Sequence, residues 1–61
     1  MSSLTRRELW QRITTAAYKA AEYENGSEYA LALDLARRIR KDAELLEESL
    51  RLRLAAIEGD Q

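Results

Sequence analysis

Residues able to perform chemistry are scarce in this sequence. It contains neither histidine nor cysteine, the commonest general base and the commonest thiol nucleophile. Glu47 and Glu48 are paired carboxylates, but neighbouring positions of a helix point in different directions, so they do not flank a substrate together. The hydroxyl side chains have no activating partner at a suitable spacing. We therefore expect a protein that is not an enzyme and has no small-molecule substrate.

Metal and cofactor binding are disfavoured by the same residue types. A structural zinc site requires cysteine or histidine ligands, and both are absent. Dinuclear sites in helical bundles combine glutamates with a Glu-x-x-His motif that points inward. The acidic residues of this chain lie off its apolar stripes and are interpreted as a solvated face. We predict no metal and no cofactor.

Length and charge bound the remaining possibilities. The 61 residues, with a net charge of -1, correspond to a single domain over residues 1–61. A chain of this size buries only about 60% of its unfolded surface, so we expect it to associate with itself or with a larger helical protein. No apolar run approaches the ~20 residues that cross a bilayer. We expect no membrane association and a cytoplasmic location, and the balanced charge argues against general nucleic-acid binding.

A capping pattern marks the start of the first helix. Thr5 and Glu8 have the spacing of a capping box, in which each side chain pairs with the other residue's backbone N–H. Leu4 and Leu9 occupy the two positions of a hydrophobic staple. We predict helix 1 over about residues 5–24 with an apolar stripe at helical spacing. The stripe consists of Leu9, Ile13, Ala16, Ala17, Ala20 and Ala21.

The turn at residues 25–27 is the only strong break in the sequence. Gly26 is expected to end helix 1 in the left-handed conformation, and Ser27 is expected to cap the next helix. Helix 2 is predicted over about residues 28–57. The predicted fold is therefore all-α, a two-helix antiparallel hairpin.

Helix 2 carries an apolar seam with the alternating four-three spacing of a coiled coil. The seam runs through Ala32, Ala36, Ile39, Ala43, Leu46, Leu50 and Ile57. Helix 2 is about 45 Å long against about 30 Å for helix 1, so the part of the seam from Leu46 to Ile57 is expected to extend beyond helix 1. We predict that the hairpin dimerises into a helical bundle through helix 2. The predicted interface consists of Ile39, Ala43, Leu46, Leu50, Leu54 and Ile57.

Charges flanking the seam favour one orientation of such a dimer. Arg40 and Glu47 occupy successive positions beside it. If two copies of helix 2 cross antiparallel near Ala43, Arg40 of one copy lies beside Glu47 of the other. A parallel pair would stack basic residues near their own copies, so the antiparallel arrangement is predicted.

Basic residues form two groups with alternative interpretations. Arg37, Arg38, Arg40 and Lys41 either contact phosphate or an acidic partner, or belong to a ladder of salt bridges with acids four residues away. The expected ladder pairs are Asp34–Arg38, Arg38–Asp42, Arg40–Glu44 and Glu47–Arg51. The second group is Arg6, Arg7 and Arg12, near the start of helix 1. Cations there oppose the helix dipole, which favours a binding role.

Aromatic residues also have two interpretations. Trp10, at the edge of the helix 1 stripe, is a candidate partner contact as well as a packing residue. Tyr23 and Tyr29 flank the turn, and we expect them to cover its core.

The stretch ALDLARRIRKDAELLEESL resembles the first helix of the Rop family of plasmid-copy-number regulators. The corresponding residues are Ala32, Leu33, Ala36, Arg37, Ile39, Arg40, Leu46, Glu48 and Leu50. The resemblance implies a four-helix-bundle dimer that binds RNA. The RNA-contacting face of that family carries Asn, Phe, Gln and Lys where this chain has Asp34, Arg38, Asp42 and Ser49.

Two further groups of bacterial helical hairpins are similar. Small co-chaperones of type III secretion needle subunits share the pattern Tyr29, Leu31, Ala36 and Ile39 after a glycine-containing turn, which implies a partner with tetratricopeptide repeats. Small negative regulators of AraC-type activators are similar from Ala20 to Ala36, through Gly26, Tyr29, Ala32 and Leu33. The expected function is a bacterial protein-interaction module, an adaptor, regulator or co-chaperone. The alternative is a Rop-like RNA-binding bundle.

Overall fold

The computed structural model describes residues 4–59, which form two α-helices packed side by side. α1 spans Arg6–Asn25 and α2 spans Tyr29–Gly59. The predicted all-α hairpin is confirmed, and the two ends of the predicted domain, 1–3 and 60–61, lie outside the described residues. The hairpin measures 51 × 23 × 13 Å, so it is a single layer one helix thick. In the described part of the chain, neither helix has the length and apolarity needed to cross a membrane.

The predicted capping box forms at the start of α1. The Glu8 backbone N–H donates to the Thr5 hydroxyl at 3.1 Å, and the Thr5 backbone N–H donates to Glu8 Oε1 at 2.8 Å. Both bonds satisfy amides that have no partner inside the helix. Hydrogen bonds from the Thr5 backbone and side chain lower the pKa of the Glu8 carboxyl. The cap therefore favours the ionised carboxylate.

The turn differs from its prediction by one residue. Gly26 has an ordinary φ of -89°, whereas Ser27 adopts the left-handed conformation with φ 62°. The Glu28 N–H donates to the Tyr23 carbonyl and the Ser27 N–H to the Glu24 carbonyl, at 2.8 and 2.9 Å. These are the two bonds of a Schellman motif. Because α1 continues through Asn25, the left-handed position falls after the glycine, and the predictions for Gly26 and Ser27 are wrong.

The core is a single row of contacts along the helix pair. Leu9 and Ala16 of α1 and Leu46 of α2 are buried, and Asp42 is buried among them at 3% exposure. The half-buried residues that complete the row are Ile13, Ala20 and Tyr23 on α1 and Ala32, Leu35, Ile39 and Ser49 on α2. So little burial leaves most of the apolar surface of the hairpin uncovered.

α2 extends past the start of α1, but later than predicted. Arg6, the first residue of α1, donates from Nη1 to Ser49 Oγ at 3.1 Å. The segment from Leu50 to Gly59, about 15 Å long, therefore projects beyond that residue. Leu46, predicted as the start of the projecting part, is only 3% exposed because α1 reaches past it.

Candidate interaction surface

The two sides of the hairpin can be separated by helix geometry. On each helix, the residue that follows a contact residue is rotated by about 100° from the contact row. Because α1 and α2 run antiparallel and face each other, these following positions point to the same side of the hairpin on both helices. The preceding positions point to the opposite side.

The side defined by the following positions is apolar along most of its length, and we call it the apolar face. Its members that follow contact residues are Trp10, Ala17, Ala21, Ala36, Ala43 and Leu50, and Leu54 and Ile57 continue the same side of α2 beyond α1; all are exposed. The hydroxyl of Thr14, also on this side, donates to the Trp10 carbonyl at 2.9 Å, so its donor is used inside the helix. Leu33, Arg40 and Glu47 also follow contact residues and lie at the outer edge of the face, and Glu24 lies at its turn end. This surface is the strongest candidate for a binding site.

The opposite side is polar, and we call it the polar face. Five of its residues, each preceding a contact residue, line a shallow open groove: Glu8, Arg12, Thr15, Lys19 and Arg38. Because these five residues from both helices line one groove, the positions that precede contact residues do lie on one side of the hairpin. Leu31, Leu45 and Leu52 also lie here at seven-residue steps, and Arg38 separates the first two along the helix. The polar face therefore carries exposed apolar side chains between charged residues, mainly at Leu45 and Leu52.

The six predicted interface residues divide between two surfaces. Ile39 is half-buried and Leu46 is buried, both against α1. The other four, Ala43, Leu50, Leu54 and Ile57, are exposed on the apolar face. The division arises because the predicted seam alternates between two adjacent rows of α2. One row packs on α1, and the other has no neighbour within residues 4–59.

The basic residues of α2 are partly engaged in the predicted ladder. Arg40 pairs with Glu44 at 3.6 Å, and Arg51 pairs with Glu47 at 3.4 Å and with Glu48 at 3.9 Å. The predicted Arg38–Asp42 pair is wrong, because Asp42 faces α1 and pairs with Arg12. The Asp34–Arg38 pair is not among the ion pairs of residues 4–59. Arg37, Arg38 and Lys41 are exposed.

Two of the three arginines of α1 reach across the hairpin. Arg12 Nε lies 3.2 Å from Asp42 Oδ2, and Arg6 bonds to Ser49 as described above. These contacts give Arg6 and Arg12 a role in joining the helices. Arg7 is exposed, and Trp10 is 54% exposed on the apolar face. A binding role for Arg7 and Trp10 remains a prediction.

Three contact residues are missed by the sequence patterns. Leu35 and Ser49 lie outside the predicted seam, and Asp42 is assigned to the solvated ladder because a carboxylate rarely occupies a core. The signal that could have found them is the four-three spacing of Leu35, Ile39, Asp42, Leu46 and Ser49. Tyr29 also differs from its prediction, since it is 65% exposed and does not cover the turn.

The fold and this surface define an all-α helical hairpin with one open apolar side. Comparison with protein-family models, with curated proteins and with solved structures finds no match for the chain.

Proposed function

We propose that this chain is a non-enzymatic protein-interaction module whose working surface is the apolar face. The observation that supports the proposal is the exposure of large apolar side chains on one side of a single-layer hairpin. Leu50, Leu54 and Ile57 are each between 44% and 56% exposed and lie in consecutive turns of α2. Contiguous apolar surface of this kind typically marks a site that another protein covers.

The shape of the face favours a helical partner. Alanines occupy its central part, at Ala17 and Ala21 of α1 and at Ala36 and Ala43 of α2. Small side chains allow another helix to approach closely, while Trp10 and the leucines at the other end supply area. In this proposal the partner is a second copy or a larger helical protein, and the module acts in the cytoplasm as an adaptor, regulator or co-chaperone.

Charge favours a protein over RNA as the partner. Within α2, Arg40 and Arg51 are already paired with carboxylates, and Arg12 is paired with Asp42. RNA binding at a basic surface requires cations that can neutralise phosphates, and acids beside them reduce that potential. The apolar face itself carries charge only at its edge.

The test is affinity capture from the host with a matched pair of variants. Leu54→Asp places a charge on the apolar face, and Leu45→Asp places one on the polar face. The two leucines are similarly exposed, at 56% and 53%. The wild-type chain and Leu45→Asp should recover the same protein partner, and Leu54→Asp should lose it.

Circular dichroism of all three chains checks that each remains helical. Equal capture by both variants would contradict the proposal. Recovery of RNA instead of protein, with steep loss of binding as salt is raised, would replace it with the RNA-binding alternative.

A further inference from the structure

The apolar face has a spacing that complements itself. On α2 the central row of this face is Ala36, Ala43, Leu50 and Ile57, each seven residues after the one before, and Tyr29, 65% exposed, precedes Ala36 by the same step. The positions in the row are therefore symmetric about Ala43, but the side chains on its two sides differ in size, with Ala36 on one side and Leu50 on the other. If two copies of α2 run antiparallel with Ala43 at the crossing, Leu50 of each copy lies opposite Ala36 of the other. Leu54 lies opposite Ala32 in the same register. Leu50 and Leu54 therefore meet small side chains, whereas Ile57 at each end of the row meets the exposed ring of Tyr29.

From this symmetry, the charges and the area of the face, we propose that the apolar face binds a second copy of this chain. The two copies form a four-helix bundle with a two-fold axis beside Ala43 and with the two turns at opposite ends. The inference rests on the proposed function, because it names the partner of the same face.

The size of the face is comparable with that of a stable interface. The hairpin extends 51 Å by 23 Å, so a second copy laid along it can cover an area of the order of the ~800 Å² that each partner contributes to a standard interface. The hairpin is one helix thick, so a second layer is the simplest way to enclose that face between helices.

The projecting end of α2 selects the orientation. In the antiparallel arrangement, the segment from Leu50 to Gly59 of each copy lies along the turn-proximal half of α2 in the other copy. Its leucines then contact the alanines of that half. In a parallel arrangement both projecting segments lie at the same end of the bundle. Neither then packs on the two-helix part of the other hairpin.

Charges at the edge of the face favour the same orientation. Arg40 and Glu47 lie at nearly equal distances on either side of the crossing. Arg40 of each copy therefore lies beside Glu47 of the other copy. Within the chain, Arg40 already pairs with Glu44, and Glu47 with Arg51. The dimer therefore joins these pairs into a mixed-charge network at its rim. Such exposed pairs select orientation, while the apolar contacts supply the affinity.

Single cysteines test the register, because the chain has none of its own. Ala43→Cys should form a disulfide with its own copy under mild oxidation. Leu45→Cys, on the polar face, is the matched control and should remain reduced. Ala36→Cys should not link to itself, since the two copies are about 21 Å apart along the bundle. A mixture of Ala36→Cys and Leu50→Cys chains should form a mixed disulfide dimer.

Sedimentation provides the second measurement. The wild-type chain should sediment as a dimer at micromolar concentration. Leu50→Asp should raise the dissociation constant on the order of 100-fold or more, and Leu45→Asp should leave it nearly unchanged. Leu50 is already 44% exposed in the single hairpin, so its replacement should leave helical content in place.

Three results would overturn the inference. Self-linking of Ala36→Cys would contradict the antiparallel register, and so would the absence of an Ala43→Cys disulfide dimer. A folded wild-type monomer would exclude the second copy as the partner. If that monomer still captured another protein through Leu54, the proposed function would stand without the dimer. If it captured nothing through Leu54, both proposals would fail.

Discussion

Arg12 and Asp42 form an ion pair across the hairpin, with Nε of the guanidinium 3.2 Å from Oδ2 of the carboxylate. The two partners are unequally buried. The side chain of Asp42 is 5% exposed, in the middle of the contact row, whereas that of Arg12 is 47% exposed at its edge. If Arg12 is lost, the carboxylate stays among apolar neighbours without a counter-charge. If Asp42 is lost, the guanidinium turns into water.

This asymmetry predicts unequal effects of two substitutions. Arg12→Met should lower the free energy of unfolding by about 1–3 kcal/mol, because it leaves a buried charge unpaired. Asp42→Leu should be neutral or stabilising by about 1 kcal/mol, because it completes an apolar row between Ile39 and Leu46. Urea denaturation followed by circular dichroism, at one protein concentration for all chains, measures both. Greater destabilisation by Asp42→Leu than by Arg12→Met would contradict the burial of Asp42 beside a more exposed Arg12.

The turn predicts opposite roles for its glycine and its serine. Ser27→Gly should stabilise the hairpin by about 1 kcal/mol, because glycine adopts the left-handed conformation without steric cost. Gly26→Ala should be neutral or stabilising by about 0.4–1 kcal/mol, since that φ suits alanine. The added Cβ would lie 3.7 Å from two backbone carbonyl oxygens, an ordinary contact.

Thermal melts of these two variants, with Ser27→Val as the destabilised control, test the turn. A clear loss of stability in Gly26→Ala would mean that the left-handed residue is the glycine.

Two adjacent leucines of α2 should respond differently to truncation. Leu46 is buried against α1 at 3% exposure, and Leu45 is 53% exposed on the polar face. Leu46→Ala should lower the free energy of unfolding by about 2–4 kcal/mol, because it leaves a cavity between the helices. Leu45→Ala should change it by about 0.5 kcal/mol or less. Denaturation curves that coincide for the two variants would place the contact row elsewhere on α2.

The capping box predicts a contribution to stability that depends on pH. The pKa of Glu8 is lowered from its ordinary value of 4.5 by hydrogen bonds from Thr5. The stabilisation is therefore present above the unfolded pKa and is lost as the pH falls through the lower pKa of the folded state. Glu8→Gln retains an acceptor for the Thr5 N–H but does not titrate.

The comparison uses the difference in stability between the wild type and Glu8→Gln. The free energy of unfolding of the wild type minus that of Glu8→Gln should be constant above about pH 5.5. It should decrease as the pH falls below about 4.5, because the wild type then loses the stabilisation by its carboxylate. Urea denaturation at a series of pH values measures it, and all other carboxyls cancel between the two chains. If the difference in the free energy of unfolding did not depend on pH, the cap would not favour the ionised carboxylate of Glu8.

Local signals determined the helices and their limits. Thr5 and Glu8 specify the start of α1 because a capping box depends only on residues three positions apart. The break near Gly26 identifies the turn for a similar local reason. Its exact register did not follow, because the choice between Gly26 and Ser27 for the left-handed position depends on how far α1 continues before α2 packs back on it.

The sequence by itself determined that α2 has more apolar surface than α1 can cover. Only the tertiary structure decided which residues are covered. Ile39 and Leu46 face α1 while Ala43 and Leu50 do not, although all four belong to one seam. Adjacent rows of a helix are only about 40–60° apart. The row that packs on α1 beside Ile39 and Leu46 is that of Leu35 and Asp42, which pairs with Arg12, and not that of Ala36 and Ala43. A contact between residues thirty positions apart in the chain leaves no local pattern, so the apolar face becomes visible only once the two helices are packed.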